Sequence, residues 1–258
     1  GIAAAILLPI ALVRTDLGIV LTRWRWVAAF AAIEIAIPWV LLGSAEQKVS
    51  SSLAALVIAG VPLAGVVIAL LSGRSERLGA VGMAGLLVGL AGVAAIVGGD
   101  FGSTDPIALL ELAVVAVCYA LGPVILARRL GGLPSVGVMA LSLGLTFVVY
   151  VPIAALQWPT ALPSPAVLWS IATLAVVCTA IAFLVFAALI DAVGPVRATV
   201  ITYINPAVAA ILGVVVLNEV LTPPMIVGFG LVTLGSVLAT RPPGARPAEA
   251  VPPVASTG

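Results

Sequence analysis

Three stretches place groups capable of chemistry inside runs that are otherwise apolar. "FAAIEIAIPW" (30–39) carries Glu34, with Pro38 four residues later and Trp39 next to it. "CYALGP" (118–123) carries Cys118, Tyr119, Gly122 and Pro123, and "ITYINPAVAAIL" (201–212) carries Thr202, Tyr203, Asn205 and Pro206. A carboxyl at the centre of an apolar helix either takes up and releases a proton or pairs with a substrate amine; the alternative is a protonated Glu that bonds a neighbouring helix. Pro38 lies on the same helix face as Glu34 and frees backbone carbonyls there, which is tolerated only against protein or a wet cavity. Trp39 lies roughly 140° around the helix from Glu34 and is either a cavity wall or interface packing. Tyr119 offers a hydroxyl and an aromatic face to a substrate, or packs with its hydroxyl satisfied. Asn205, with Thr202 on its face, must bond another helix or face a cavity, because an unpaired amide in hydrocarbon costs several kcal/mol. Tyr203 is a further cavity candidate. Pro62 interrupts "AGVPLAG" (59–65) with Val61 where the later stretch has Asn205. Glu111, a turn or so inside its run, reads as a solvated residue at the mouth.

The remaining residue types limit the chemistry. There is no histidine, and both cysteines lie inside apolar runs. A disulfide framework, a histidine metal or catalytic site and a bound cofactor are therefore not expected. One central Glu without a His or Lys provides neither paired carboxylates nor a nucleophile with its base, so an intramembrane enzyme is disfavoured. A "GxxxxGK" phosphate loop does not occur.

The elements that must hold these residues are membrane helices. Of 258 residues, 63% are hydrophobic and 8% charged, with a mean hydropathy of +1.33, too little polar surface for a soluble domain. Continuous apolar runs, rather than the alternation of a barrel strand, predict helices at 24–44, 49–72, 78–98, 106–127, 134–156, 166–190, 196–217 and 222–240. Residues 1–13 are too short to cross and have no basic flank, which reads as half a span.

Charge sets the orientation. Arg14, Arg23, Arg25, Arg74, Arg77, Arg128, Arg129, Arg197, Arg241 and Arg246 fall in one set of connections, and Lys48 alone among the basic residues falls in the other. The positive-inside rule then puts the Pro-rich, disordered tail 241–258 in the cytoplasm. Glu46, Asp100, Asp105 and Glu219 lie in the opposite loops.

The chain also repeats itself. Pro9 and Pro152, Glu76 and Glu219, Gly85 and Gly228, and Gly92 and Gly235 are each 143 residues apart, and Pro62 and Pro206 are 144 apart. One register kept across four helices argues for duplication, with units at 1–100 and 106–240. The second unit holds one full helix and part of another for which the first has no counterpart, so ten spans are expected, with the first helix and part of the second absent from this chain. Five spans per unit is odd, which forces the units into opposite orientations. Interrupted helices in inverted repeats that meet near the midplane mark secondary transporters. The stripe Gly82, Gly85, Gly89, Gly92 reads as a close helix contact with a partner in this chain or in a second copy.

This five-plus-five pattern, with a mid-helix proline in the fourth and ninth spans and "ERL" at Glu76 and "EVL" at Glu219, resembles the EamA-type drug/metabolite transporter superfamily. The resemblance implies an all-α carrier of the inner membrane whose central cavity is lined by the first, third, fourth, sixth, eighth and ninth helices of the family fold. It includes a branch of amino acid exporters that also carry a Glu in the middle of the third helix, as Glu34 does here. The intramembrane lysines of the anionic-substrate branches are missing. The expected function is export of small neutral or zwitterionic metabolites, amino acids first, by alternating access, with no nucleic acid involved. Proton coupling through Glu34 and facilitated diffusion both stay open, as does the oligomeric state. The rivals are proton-coupled efflux of cationic or lipophilic drugs and a non-transporting structural or receptor subunit.

Overall fold

The structure, a computed structural model, describes residues 1–71, 79–98, 105–159, 161–193 and 205–240. These form helices α1 (Ile2–Arg14), α2 (Leu17–Leu21), α3 (Trp24–Ala45), α4 (Ser51–Leu71), α5 (Ala80–Gly98), α6 (Pro106–Arg129), α7 (Ser135–Leu156), α8 (Pro165–Val193), α9 (Asn205–Leu217) and α10 (Pro223–Ala239). Five of them (α3, α4, α6, α7 and α8) are long and apolar enough to cross a membrane; α1, α5, α9 and α10 are shorter apolar helices. Eight complete spans are expected from hydropathy. Part of the difference is that residues 194–204, within the expected span 196–217, lie outside the described residues.

Helix starts follow from local chemistry. Asp105 accepts from the backbone N–H of Ile107 at 2.7 Å ahead of Pro106, and Ser50 caps α4 by accepting from Leu53 N–H at 3.2 Å. Helix α9 ends at Asn218, whose φ of 55° places it in the left-handed region that closes helices. Long apolar side chains face outward, with Val13, Leu71 and Leu156 each more than four-fifths exposed, the inverse of a soluble fold.

Glycines set the closest helix contact. A Cβ added to Gly92 would stand 2.7 Å from the Gly228 carbonyl, and one on Gly85 2.9 Å from the Gly235 carbonyl. The partner of the glycine stripe is thus α10 of the same chain. The two contacts exchange into one another when each residue is moved 143 positions, the register of a two-fold, self-complementary interface. The pairs α1–α7 and α4–α9 also pack together.

Two spans contain a wide turn. Over Ala31–Ala36 in α3 and Val176–Ile181 in α8 the backbone hydrogen bonds shift to five-residue spacing: Ile37 N–H reaches the Ala32 carbonyl, and Ala182 N–H reaches that of Val177. Pro38 has no N–H for the Glu34 carbonyl, so the chain around Glu34 cannot keep regular α-helical bonding.

Candidate functional site

Glu34 sits inside the wide turn of α3, and its carboxyl lies over the backbone of α6. A Cβ on Gly122 would overlap Glu34 Oε2 and stand 2.7 Å from Glu34 Cδ. Oε2 is buried and has no hydrogen-bond partner among the described residues. Tyr119 and Cys118, one turn earlier on α6, both lie within electrostatic reach of this carboxyl, and Trp39 lies beside the Tyr119 hydroxyl. Tyr150 of α7 donates to the Ala36 carbonyl at 2.5 Å and so braces the end of the turn. Pro38 is buried.

A cavity of about 880 Å³ opens between α1, α3, α7 and α8. Its walls are mainly apolar, with Leu42, Leu143, Phe147, Ile171 and Leu174, and its polar groups are Trp39, Cys178, Thr179 and Glu46. Trp39 meets Phe183 edge-to-face, with centroids 6.3 Å apart at 82°. Thr179 lies in the wide turn of α8, with its hydroxyl donating to the Leu174 carbonyl at 2.8 Å. The wide turn of α8 therefore lines the cavity, while α3 reaches it through the segment that follows its own wide turn. Trp39 lines it and also reaches the Tyr119 hydroxyl, while Glu34, seated against Gly122, is not among its lining residues.

At the end of the bundle that holds Lys48, carboxylates fasten helices together. Glu219 accepts from the backbone N–H groups of Ser51 and Ser52, each at 2.9 Å, and from the Ser52 hydroxyl, which docks it on the N-terminus of α4. Burial alone would raise Glu219, but these three donors outweigh it and hold the carboxyl below its ordinary range. Burial and the neighbouring Glu219 charge push Glu46 upward. Glu111, expected as a solvated mouth residue, instead accepts from Ser44 Oγ at 2.8 Å with its second oxygen buried. Its helix packs against the second half of α3, and that contact takes the carboxyl out of solvent.

The other sequence candidates are farther apart. Pro62 lies in α4, next to the Ala59-Gly60 turn that interrupts that helix, and Gly65 brings α4 against Ala120 of α6. Asn205 is the exposed first residue of α9, with Pro206 buried behind it. Thr202 and Tyr203 lie outside the described residues. Glu34, Trp39 and Tyr119 come together; Pro62, Asn205 and Pro206 line neither their cluster nor the cavity. Sequence reasoning missed Tyr150 and Thr179. Neither stands out in its apolar run, and only the wide turns show what they do.

Paired helices in exchangeable register, spans interrupted near their middle and a cavity between them define a multi-pass helical membrane protein. The chain belongs to the EamA-like transporter family, whose model matches residues 1–98 and 106–241, and the resemblance drawn from its residues holds. It is 32% identical over 201 residues to the uncharacterized inner membrane transporter YedA of Escherichia coli K12, covering 76% of this chain and 63% of that protein; the proteins of that name from strains O6:H1 and O157:H7 match equally. The match thus spans less than two thirds of the length of these relatives. A crystal structure of another protein superposes with a TM-score of 0.62 at 24% identity, covering 93% of this chain and 84% of the other, a likeness of fold.

Proposed function

We propose that this chain forms the body of a secondary transporter of small neutral or zwitterionic metabolites, amino acids first. It works in the inner membrane by alternating access between two oppositely oriented units, 1–100 and 106–240, with the C-terminus in the cytoplasm. The observation that carries this reading is the cavity of about 880 Å³ with apolar walls and few polar groups, bordered by two spans that are each interrupted by a wide turn. Apolar walls suit a hydrophobic side chain, and Trp39, Thr179 and Glu46 offer polar contacts for an amino and a carboxyl group. Efflux of a lipophilic cation is the second reading. It is favoured by Glu46 lying in the same cavity as the rings of Trp39 and Phe147.

Counterflow into proteoliposomes, with the chain extended to the length of its relatives, tests both. Neutral amino acids and one lipophilic cation are supplied to wild type, Glu34→Gln and Glu46→Gln, with and without a pH gradient. Amino acid exchange that persists in Glu34→Gln and ignores the gradient supports a facilitative carrier and rejects proton coupling at Glu34. Gradient-driven movement of the cation alone, lost in Glu34→Gln or Glu46→Gln, replaces the first reading with the second. No exchange of any compound rejects both and leaves the non-transporting subunit.

A further inference from the structure

At the end of the bundle opposite Glu219, four arginines and two tryptophans gather in one place. The approach to α3 supplies Arg23, and its first turn supplies Trp24, Arg25 and Trp26; the last turn of α6 supplies Arg128 and Arg129. Together with Thr22 they line a pocket of about 450 Å³. Its frame is rigid. Arg23 Nη1 donates to the Arg129 carbonyl at 2.7 Å and so ties the end of α6 to the start of α3. The Arg129 guanidinium lies over the Trp26 ring, 4.4 Å from the centroid.

No described residue in the pocket balances this charge. The single ion pair among the described residues, Lys48 with Asp105 at 3.6 Å, is at the far end of the molecule. Among the described residues, the carboxylates on this side are engaged elsewhere: Asp16 accepts from Gly18 N–H at 2.8 Å as the cap of α2, and Asp191 accepts from Ser135 Oγ at 2.6 Å. Arg25 and Arg128 have no acidic partner within the described residues. Four guanidinium groups around one concavity repel one another unless an anion is present, and their planar forks match the oxygens of a phosphate.

The depth of the pocket selects the source of that phosphate. Trp24 is 60% and Trp26 39% exposed, and both stand at the first turn of a span while Arg128 and Arg129 end another. Amphipathic indoles at span ends are the residues of the headgroup layer, and a basic pocket between spans on the positive side is where anionic headgroups bind.

We propose that this pocket is a binding site for the phosphodiester of one anionic phospholipid from the adjoining leaflet. Arg25 and Arg128 hold the phosphate oxygens, and the edges of Trp24 and Trp26 flank the glycerol. The lipid then bridges the start of α3, which carries Glu34, and the end of α6, which carries Tyr119 and Gly122.

Native mass spectrometry of the detergent-solubilised chain, titrated separately with phosphatidylglycerol and phosphatidylcholine, counts the lipids that stay bound. The expected result is one phosphatidylglycerol retained at about a tenth of the phosphatidylcholine concentration, with that preference lost in Arg25→Gln/Arg128→Gln and largely kept in Arg25→Lys/Arg128→Lys. Should the double Gln variant not fold, Arg128→Gln alone is expected to weaken the preference severalfold. Glycerol 3-phosphate at the same concentration is expected neither to bind nor to displace the lipid. Equal retention of both lipids, or a preference unchanged in the Gln variants, overturns the site. Binding of glycerol 3-phosphate as tight as that of the lipid overturns the lipid as occupant in favour of a soluble anion.

Discussion

Gly122 leaves open the place where the Glu34 carboxyl rests, and the two residues form one unit across α3 and α6. Replacing Gly122 with Ala puts a methyl group 2.7 Å from Glu34 Cδ, so the carboxyl must leave its seat or the helices must separate. Gly122→Ala is expected to destabilise the protein by about 1–3 kcal/mol, the usual range for overpacking. Glu34→Ala/Gly122→Ala is expected to recover most of that loss, since only the Glu34 Cβ at 3.3 Å then remains close. Thermal melts in one detergent, arranged as a double-mutant cycle, check both; additive losses reject the contact. Glu46 behaves differently because its raised protonation point lies in the folded state. Between the ordinary carboxyl range and that raised point, the folded protein holds more protons than the unfolded chain, so stability falls as pH rises through the window. Glu46→Gln is therefore expected to be more stable than wild type at neutral pH by no more than about 1 kcal/mol, because solvent screens this partly exposed group. The gain should vanish below the ordinary carboxyl range, as read from melting temperature against pH. At this scale hydropathy singles out Glu34, since a lone carboxyl in an apolar run is conspicuous. Its seat on Gly122 and the brace from Tyr150 depend on helix pairing that no local pattern specifies.

Among the helices, α4 starts where Glu219 reaches it. Both oxygens are used, on Ser51 N–H, Ser52 N–H and the Ser52 hydroxyl, so the carboxylate acts as a cap supplied by a distant segment. Glu219→Gln is expected to cost about 1–2 kcal/mol at neutral pH, within the range for losing a cap or a charged hydrogen bond. Because the folded carboxyl titrates below its ordinary range, that stability is present at neutral pH and lost as pH falls through the depressed value; wild type and variant should converge in acid. The α5–α10 contact is steeper. Gly92→Ala places a Cβ 2.6 Å from the Val232 backbone nitrogen, where no rotamer gives relief, while Gly230 has open space around it. A loss of about 3 kcal/mol or near-complete misfolding is expected for Gly92→Ala, by the overpacking argument at a backbone contact, and a change within about 0.5 kcal/mol for Gly230→Ala. Expression with melting temperature tests the pair, and equal behaviour of the two variants would reject the close contact. The glycine stripe was readable from its spacing. Its partner was not, because same-chain and second-copy packing leave one pattern. The wide turns were invisible for another reason: Pro38 signals a break in α3, but the matching turn in α8 has no proline, and Thr179 bonding back to Leu174 accompanies it without any sequence mark.

For the whole molecule, the pairs that matter are those that join one half to the other. Gly85 with Gly235 and Gly92 with Gly228 are exchanged by a shift of 143 residues, and the wide turns at Ala31–Ala36 and Val176–Ile181 are offset by nearly the same distance. The periodic glycines made the first of these legible; the position of the cavity was not, since Trp39 and Thr179 reach it through helices whose phase is shifted by the wide turns. If the halves move against each other during transport, a bond between them should stop it and a bond within one half should not. Gly65 and Ala120 suit the first case, because a Cβ on Gly65 would stand 3.9 Å from the Ala120 Cβ, within disulfide reach. Gly60 and Val93 suit the second, with a Cβ on Gly60 3.4 Å from Val93 Cγ2. In a background with Cys118 and Cys178 replaced by Ala, oxidised Gly65→Cys/Ala120→Cys is expected to lose at least ten-fold in counterflow and to regain it on reduction. Gly60→Cys/Val93→Cys should run at the same rate oxidised or reduced. Undiminished exchange through a fully formed 65–120 bridge would show that the halves need not separate along α4 and α6, and would move the working motion to α3 and α8, the two interrupted spans that border the cavity.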